Sequence, residues 1–296
     1  MQNSLTPHSL PGRDIVLVGA GHTNMHIVRM YRMNPIPDTS LTLISPFGRA
    51  TYSGMLPGTL ADLYSPDEME IDLYRFAAPH GIRVIIDEVV GLDPERRRVL
   101  FRDRPAVRFD VASIGVGSVP TAHERWLGVP EVIPIKPMAT FRTRLNERLA
   151  TLATVGIGKS PERPIRAVVV GGGAAGVEVA MCLEARLASM EIPVEVTLVD
   201  SRDEILTGYL PGTVRRVHAE FQRRGIAALS GLRIREIEEP LENIDRSSTD
   251  RSSRELVCED GTRIPADLVL WVTGAAPSEF IENIPLPKGD DGFLAV

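Results

Sequence analysis

Apolar runs and glycine-rich turns alternate along the chain in an order typical of a parallel sheet. Residues 168–170 are three valines, and Gly171, Gly173 and Gly176 follow before a stretch of good helix formers. β-branched residues favour strands, and closely spaced glycines favour a tight turn into a helix. A second apolar run over residues 191–200 comes after that helix. The pattern therefore predicts strand, turn, helix and strand.

The same pattern occurs near the N-terminus. Residues 14–18 form an apolar run that ends at Gly19 and Gly21, a helix is predicted over residues 25–33, and residues 41–44 form the next strand. The third glycine of the pattern is replaced by Asn24. Two such units predict an α/β fold with two Rossmann-like domains, each built from three layers (β/β/α).

The second turn has the features of a dinucleotide-binding turn. Gly171 permits the sharp turn, Gly173 lets the backbone approach a pyrophosphate, and Gly176 lets helix and strand pack closely. Phosphates are attracted to a helix N-terminus by unpaired N–H groups and by the positive end of the helix dipole. The alternative is a Rossmann turn that binds nothing.

An acid at the end of the following strand favours NADH over NADPH. Asp200 can accept hydrogen bonds from the ribose hydroxyls and would repel a 2′-phosphate. Arg202, two residues later, could compensate the charge of such a phosphate. In the first unit the corresponding strand ends at Ser45, which binds a ribose hydroxyl more weakly than a carboxylate does. Different strand ends indicate two different dinucleotides.

Composition and charge exclude several other functions. A chain of 296 residues predicts about two domains. The net charge of −6 comes without a basic block, so a nucleic-acid partner is not expected. The two cysteines, Cys182 and Cys258, form no Cys-x-x-Cys motif, so we expect neither a metal site nor a local redox disulfide. No signal peptide or membrane-spanning run is evident, and a cytoplasmic location is expected.

The double turn resembles that of flavoproteins with two dinucleotide domains: type II NADH dehydrogenases, sulfide:quinone oxidoreductases and pyridine nucleotide-disulfide oxidoreductases. The segment Ser-Pro-Phe-Gly-Arg-Ala-Thr-Tyr-Ser-Gly-Met-Leu-Pro-Gly at residues 45–58 resembles a branch found fused to selenide, water dikinase. The resemblance implies that the first turn holds FAD and that the second holds NAD(H).

The resemblance also implies which residues contact each cofactor. For FAD these are Gly19, Ala20, Gly21, His22, Thr23, Asn24, Ser45, Arg49, Ser53, Val89, Gly117 and Lys136. For NAD they are Gly171, Gly173, Ala174, Ala175, Gly176, Glu178, Asp200 and Gly274. Two of these have a second interpretation from the residues alone: His22 as a polar residue that begins a helix, and Lys136 as a solvated linker lysine.

The expected domain order places an NAD domain inside a FAD domain. Residues 1–130 are expected to form the first segment of the FAD-binding domain, and residues 131–276 the NAD(P)H-binding domain with a leading linker helix. At residues 277–296 the chain is expected to begin its return to the FAD-binding domain. The C-terminal part found in the resembling proteins is absent, so a fragment of a longer protein is expected.

The expected function is that of a FAD-dependent NADH oxidoreductase. It would pass hydride from NADH to the flavin and electrons to a quinone or another small molecule. No catalytic side chain is assigned, because the cofactors carry the redox chemistry. The resemblance leaves open a homodimer and peripheral membrane contact. The alternative function is a non-catalytic dinucleotide-binding sensor or docking module.

Overall fold

The computed structural model describes residues 12–238 and 254–295, and these divide into two compact units. The first unit contains the chain up to Tyr52, Glu70–Ser118 and the chain from Ala276 onward, whereas the second contains Ser53–Met69 and Val119–Ala275. The second unit is thus an insertion in the first. The expected domain limits at residues 130 and 276 stay predictions.

Nineteen strands are found within the described residues. They are β1 Arg13–Val18, β2 Thr39–Ser45, β3 Arg49–Thr51, β4 Glu70–Asp72, β5 Arg83–Ile86, β6 Val89–Asp93, β7 Arg98–Phe101, β8 Val107–Arg108, β9 Val111–Ile114, β10 Val119–Pro120, β11 Val132–Pro134, β12 Ile165–Val170, β13 Val194–Val199, β14 Ala227–Leu229, β15 Ile234–Glu238, β16 Arg254–Cys258, β17 Arg263–Ala266, β18 Leu268–Trp271 and β19 Ala275–Ala276.

Eight α-helices are found in the same parts of the chain. They are α1 His22–Met33, α2 Leu56–Leu60, α3 Pro66–Met69, α4 Leu73–Ala77, α5 Met138–Thr154, α6 Ala174–Ser189, α7 Pro211–Arg224 and α8 Glu279–Asn283. Within these residues none has the length and apolar character needed to cross a bilayer.

The first unit is built on a parallel sheet with the order β5-β2-β1-β9. Side chains of β1 alternate between its two faces. Leu17 packs with Met25 and Val28 of α1 on one face. Val16 and Val18 pack on the other face with residues of the antiparallel sheet β6-β7-β8. The layers are therefore helix, parallel sheet and antiparallel sheet.

One predicted strand of this unit is divided in the structure. The sequence predicts a single strand over residues 83–90, but β5 and β6 are separate and belong to different sheets. Asp87 lies between them, and its backbone N–H donates to the Ser45 carbonyl at 2.9 Å, at the end of the parallel ladder. An apolar run cannot reveal where a chain changes sheets, because both parts have strand composition.

The second unit repeats this arrangement with five parallel strands in the order β11-β18-β12-β13-β14. Ala167 and Val169 of β12 pack in a cluster with residues of α5, α6 and α7. Val168 and Val170 face the other side, where they pack with residues of the antiparallel sheet β15-β16-β17. Both units thus have the three-layer β/β/α architecture that was predicted.

Two further sequence predictions are adjusted by the structure. The sequence predicts a loop and then one helix over residues 62–78, but the helical part is split into α3 and α4 with the short strand β4 between them. Residues 65–68 have the sequence of a helix start, with a serine cap, a proline and then two acids. This prediction is confirmed, because the Glu68 carboxylate accepts hydrogen bonds from the Ser65 backbone N–H and hydroxyl, at 2.8 and 2.9 Å. The polar composition of residues 243–254 predicts a hairpin tip, and this segment lies almost entirely outside the described residues.

Candidate functional site

The turn between β12 and α6 depends on glycine for backbone packing at two positions. Gly171 has a φ of +119°, and a Cβ there would stand 2.4 Å from the Val272 carbonyl oxygen. A Cβ at Gly176 would stand 1.8 Å from the Gly171 carbonyl oxygen. Real Cβ atoms never approach an oxygen so closely, so only glycine allows the helix to start against the end of the strand. This is the packing predicted for the third glycine.

Gly173 has a different environment, because a Cβ there would meet no atom within 4 Å. Gly173 is the N-cap of α6, and no side chain caps the helix. Ala174 and Ala175 begin the helix, where backbone N–H groups have no carbonyl partner from a preceding turn. Glu178 lies exposed one turn further along. Open space beside uncapped N–H groups fits the pyrophosphate of a dinucleotide.

Asp200 lies beside this turn, and only 4% of its surface is exposed. Its carboxylate accepts hydrogen bonds from the Gly172 N–H, from the Arg202 N–H at 2.7 Å and from the Arg202 guanidinium at 3.0 Å to each oxygen. Burial acts to raise the pKa of Asp200, but these hydrogen bonds outweigh burial and lower it. The acid is therefore ionised and held firmly against the glycine turn.

Gly274 follows β18 and is held by Thr121 within the second unit. Its carbonyl oxygen accepts from both the Thr121 N–H and the Thr121 hydroxyl, at 2.7 Å each. The Thr121 carbonyl oxygen in turn accepts from the Thr273 hydroxyl at 2.7 Å. No sequence pattern indicates this role for Thr121, because Thr121 and Gly274 are 153 residues apart in the chain.

The turn between β1 and α1 in the first unit is also constrained. Gly19 has a φ of +86°, and a Cβ at Gly21 would stand 2.4 Å from the Gly115 carbonyl oxygen. The Gly21 N–H donates to that oxygen at 3.1 Å. His22 and Thr23 lie exposed at the start of α1, and Ala20 is partly buried. The His22 and Tyr52 rings are 5.9 Å apart, so two polar aromatic side chains flank the helix start.

Asn24 is fully buried, and both atoms of its amide group bond to neighbouring parts of the first unit. Its Nδ2 donates to the Val18 and Gly19 carbonyls at 3.1 and 2.7 Å, and its Oδ1 accepts from the Ser113 hydroxyl at 2.7 Å. The amide thus fills the space that a third glycine would leave, and it connects β1, α1 and β9. A role for Asn24 in contacting FAD stays a prediction that rests on the motif.

The other first-unit residues expected at FAD have varied surroundings. Ser45 is buried, and its hydroxyl accepts from the Phe47 N–H at 3.2 Å. Arg49 is exposed and forms an ion pair with Glu70 at 3.1 Å. Val89 is half-buried at the start of β6. Gly117 has a φ of +78°, and a Cβ there would meet nothing within 4 Å, so its backbone is open to approach.

Ser53 and Lys136 are also expected at FAD, but both belong to the second unit. Ser53 is exposed at the first position of the short 3₁₀ helix Ser53–Met55. Lys136 is half-buried beside the cis peptide bond to Pro137, and burial lowers the pKa of its ammonium group. The lysine is therefore only partly solvated, and its role in contacting FAD stays a prediction.

The family comparison agrees with this architecture. The family model described as pyridine nucleotide-disulphide oxidoreductase matches residues 13–296. The chain is 24% identical to the NADH dehydrogenase-like protein YutJ of Bacillus subtilis over 295 residues, which covers 96% of this chain and 71% of that protein. It is 27% identical to the demethylphylloquinone reductase NdbB of Synechocystis over 222 residues, covering 70% and 47% of the two chains.

The fold comparison gives the same result. NDH2 from Plasmodium falciparum, solved in complex with NADH, superimposes with a TM-score of 0.73 at 16% identity, covering 93% of this chain and 58% of that one. At this identity the likeness establishes the fold. The chain spans about half the length of NdbB and NDH2.

Two three-layer units, each with a glycine turn between a central strand and the following helix, define the Rossmann-like fold of FAD- and NAD-binding reductases. The chain belongs to the pyridine nucleotide-disulphide oxidoreductase family. Proteins of this family bind FAD together with NADH or NADPH, and the relatives and structural neighbours are NAD(P)H dehydrogenases and reductases.

Proposed function

We propose that the protein is a FAD-dependent NADH oxidoreductase, with NADH at the β12–α6 turn and FAD at the β1–α1 turn. The open space at Gly173, beside the uncapped start of α6 and the buried Asp200, is the observation that carries this proposal. When bound, FAD supplies the redox chemistry, since a flavin accepts a hydride from NADH and gives electrons to an acceptor. The protein's own contribution is to bind and orient the two nucleotides.

The glycines, the start of α6 and Asp200 would each contribute to dinucleotide binding at the second turn. The glycines allow the backbone to approach a pyrophosphate, and the helix start attracts its negative charge. Asp200 is already held against Gly172 and therefore lies preorganised at the end of β13. Binding to a preorganised acid costs less conformational entropy, because the side chain of the acid is already ordered.

The coenzyme preference follows from the pairing of Asp200 with Arg202. The buried carboxylate disfavours a 2′-phosphate and favours the two free hydroxyls of NADH. The Arg202 guanidinium, about half exposed, pairs with both carboxylate oxygens and offsets part of this discrimination. We therefore expect NADH to bind more tightly than NADPH, and Arg202→Ala to widen the gap between the two coenzymes.

The acceptor that we propose is a quinone or another small molecule. The names of the relatives support this class, since NdbB is a demethylphylloquinone reductase. The cytoplasmic location, homodimer and membrane contact, as well as the branch fused to selenide, water dikinase, stay predictions from the sequence.

Calorimetric titration of the purified chain with NADH and NADPH, together with its visible absorption spectrum, tests this proposal. We expect saturable NADH binding, weaker NADPH binding and a flavin band. A matched pair of variants, Asp200→Asn and the nearby exposed Asp203→Asn, separates the site from general charge effects. Equal NADH affinity in both variants would contradict the assigned site, and a colourless full-length protein that still binds NADH would favour the sensor or docking module.

A further inference from the structure

Three neighbouring strands of the second unit end at the same edge of the parallel sheet. Asp200 follows β13, the glycine turn follows β12, and Thr273 and Gly274 follow β18. The strands β18, β12 and β13 are adjacent, so these ends succeed one another at a spacing of about 4.8 Å. Nucleotides bind at the carboxyl ends of such strands. With the adenosine ribose at Asp200 and the pyrophosphate at the glycine turn, the nicotinamide half extends toward the end of β18.

The chain after β18 is packed against the glycine turn and then opens to solvent. The Val272 N–H donates to the Val170 carbonyl at 2.8 Å, which holds the start of this segment beside β12. Gly274, two residues later, is exposed. Apart from its chain neighbours, a Cβ at Gly274 would meet only the Thr121 hydroxyl oxygen within 4 Å, at 3.5 Å. The space beside Gly274 is therefore open, and one hydroxyl group borders it.

The hydrogen bonds of Thr121 determine what this hydroxyl offers a ligand. Its proton is donated to the Gly274 carbonyl at 2.7 Å, and the Thr121 N–H donates to the same oxygen. A hydroxyl group has one proton and two lone pairs, so this oxygen faces a ligand as an acceptor. The Thr121 backbone is itself fixed, because its carbonyl accepts from the Trp271 indole at 2.9 Å and from the Thr273 hydroxyl at 2.7 Å.

We propose that the Thr121 hydroxyl binds the nicotinamide end of NADH by accepting a hydrogen bond from the carboxamide NH₂ group. That group is the one N–H donor on the reduced nicotinamide ring, and a fixed acceptor orients the ring to which it is attached. The assignment rests on the NADH site proposed above and adds to it the residue that recognises the carboxamide.

Two analogues of NADH isolate this contact. The acetylpyridine analogue has a methyl ketone in place of the carboxamide and lacks the NH₂ group, whereas ADP-ribose lacks the whole nicotinamide. Calorimetry of the full chain is done anaerobically after dithionite has reduced any bound flavin, so that binding occurs without hydride transfer. We expect the wild type to bind NADH about three- to tenfold more tightly than the acetylpyridine analogue, the contribution of one hydrogen bond.

Variants of Thr121 test the assignment. Thr121→Val removes the hydroxyl but keeps the branched shape and the backbone N–H, so we expect unchanged binding of ADP-ribose and of the acetylpyridine analogue, and loss of the preference for NADH. Thr121→Ser keeps a hydroxyl and should keep the preference. A purely structural hydroxyl would instead weaken both dinucleotides by the same factor. Thr151→Val is the matched control, because the exposed Thr151 hydroxyl also donates to a carbonyl, that of Glu147 at 2.9 Å.

Gly274→Ala tests the open space independently of the hydroxyl. The φ of Gly274 is not in the left-handed region and the added methyl would stand at an ordinary contact distance, so we expect the variant to fold. Its methyl group would enter the space assigned to the nicotinamide, and NADH should bind more weakly while ADP-ribose binds as before. Unchanged NADH affinity in this variant would overturn the assignment.

Failure of this assignment is distinguishable from failure of the NADH site. Asp200→Asn should weaken NADH and ADP-ribose by the same factor, because both carry the adenosine ribose, and a wild type that binds neither would contradict the proposed function itself. If both bind and depend on Asp200, equal wild-type affinity for NADH and its acetylpyridine analogue would overturn the role of Thr121 alone. A preference for NADH that persists in Thr121→Val, shown to be folded by circular dichroism, would do the same.

Discussion

Asn24 and Gly115 fit each other so closely that a Cβ at residue 115 would stand 2.7 Å from the Asn24 amide nitrogen. The asparagine occupies the position of the third glycine in its turn, and the glycine opposite leaves room for the amide. The first turn is therefore closed by a hydrogen-bonded side chain, whereas the second is closed by direct backbone packing at Gly176.

We predict that Asn24→Ala destabilises the first unit by about 2–3 kcal/mol, since the Val18 and Gly19 carbonyls and the Ser113 hydroxyl lose a buried partner. Asn24→Gly restores the three-glycine pattern but leaves the same groups without a partner, so we expect it to be no more stable than Asn24→Ala. Urea unfolding followed by circular dichroism measures both. Asn283→Ala, at the exposed end of α8, is the control. A glycine variant as stable as the wild type would contradict this role for Asn24.

The same substitution at two glycines of the second turn should separate folding from binding. Gly176→Ala places a methyl group against the Gly171 carbonyl, and we expect a loss of about 3 kcal/mol or more in stability. Gly173→Ala meets no protein atom, so the fold should be retained while NADH binding is lost. Thermal unfolding and NADH calorimetry test the pair. Normal NADH affinity in Gly173→Ala would show that the coenzyme lies elsewhere.

The Asp200 carboxylate should contribute to stability in a defined pH range. Its pKa is lowered in the folded protein. Its contribution is therefore present above the unfolded value of about 3.9 and is lost as the pH falls through the folded pKa. The stability difference between wild type and Asp200→Asn should be constant from neutral pH to about 5 and shrink below about 4. Urea unfolding at several pH values, followed by tryptophan fluorescence, measures this difference. A difference that grows on acidification would contradict the hydrogen bonds assigned to Asp200.

The two cysteines should take no part in electron transfer, despite the family's name. Cys182 packs in the cluster on the helical face of the five-stranded sheet, whereas Cys258 lies in the cluster on the opposite face. Burial raises the pKa of both thiols. Thiols separated by a sheet cannot form a disulfide, and a raised pKa leaves little reactive thiolate. We predict slow alkylation of the native protein and unchanged NADH oxidation in the double serine variant. Loss of activity with an unchanged melting temperature would contradict this prediction.

Much of the fold can be predicted from the sequence, since local patterns determine the repeated units. The valines at 168–170, with the glycines after them, predicted β12 and α6, and the acid at 200 was predicted beside the turn. The layered architecture followed from finding this pattern twice. Where the apolar run over residues 83–90 divides between two sheets was not predictable, because strand composition carries no information on the partner strand.

The features that the sequence did not reveal depend on contacts between distant residues. Asn24 could be identified as a departure from the glycine pattern, but its partner Ser113 lies in another strand. Trp126 and Trp271 are also far apart in the chain, and only the fold brings their rings together. No spacing rule connects such positions, because their proximity is set by the order of strands in the sheet.

If the two turns hold two redox nucleotides that exchange electrons, NADH must reduce the flavin. Anaerobic titration of the FAD-loaded protein with NADH, followed through the flavin band, measures this reduction. We predict that one equivalent of NADH bleaches the band of the wild type, while the band of folded, FAD-loaded Gly173→Ala persists at the same NADH concentration. A wild-type flavin band that NADH leaves unchanged, or one that bleaches equally in the variant, would show that the two turns do not hold a coupled pair of nucleotides.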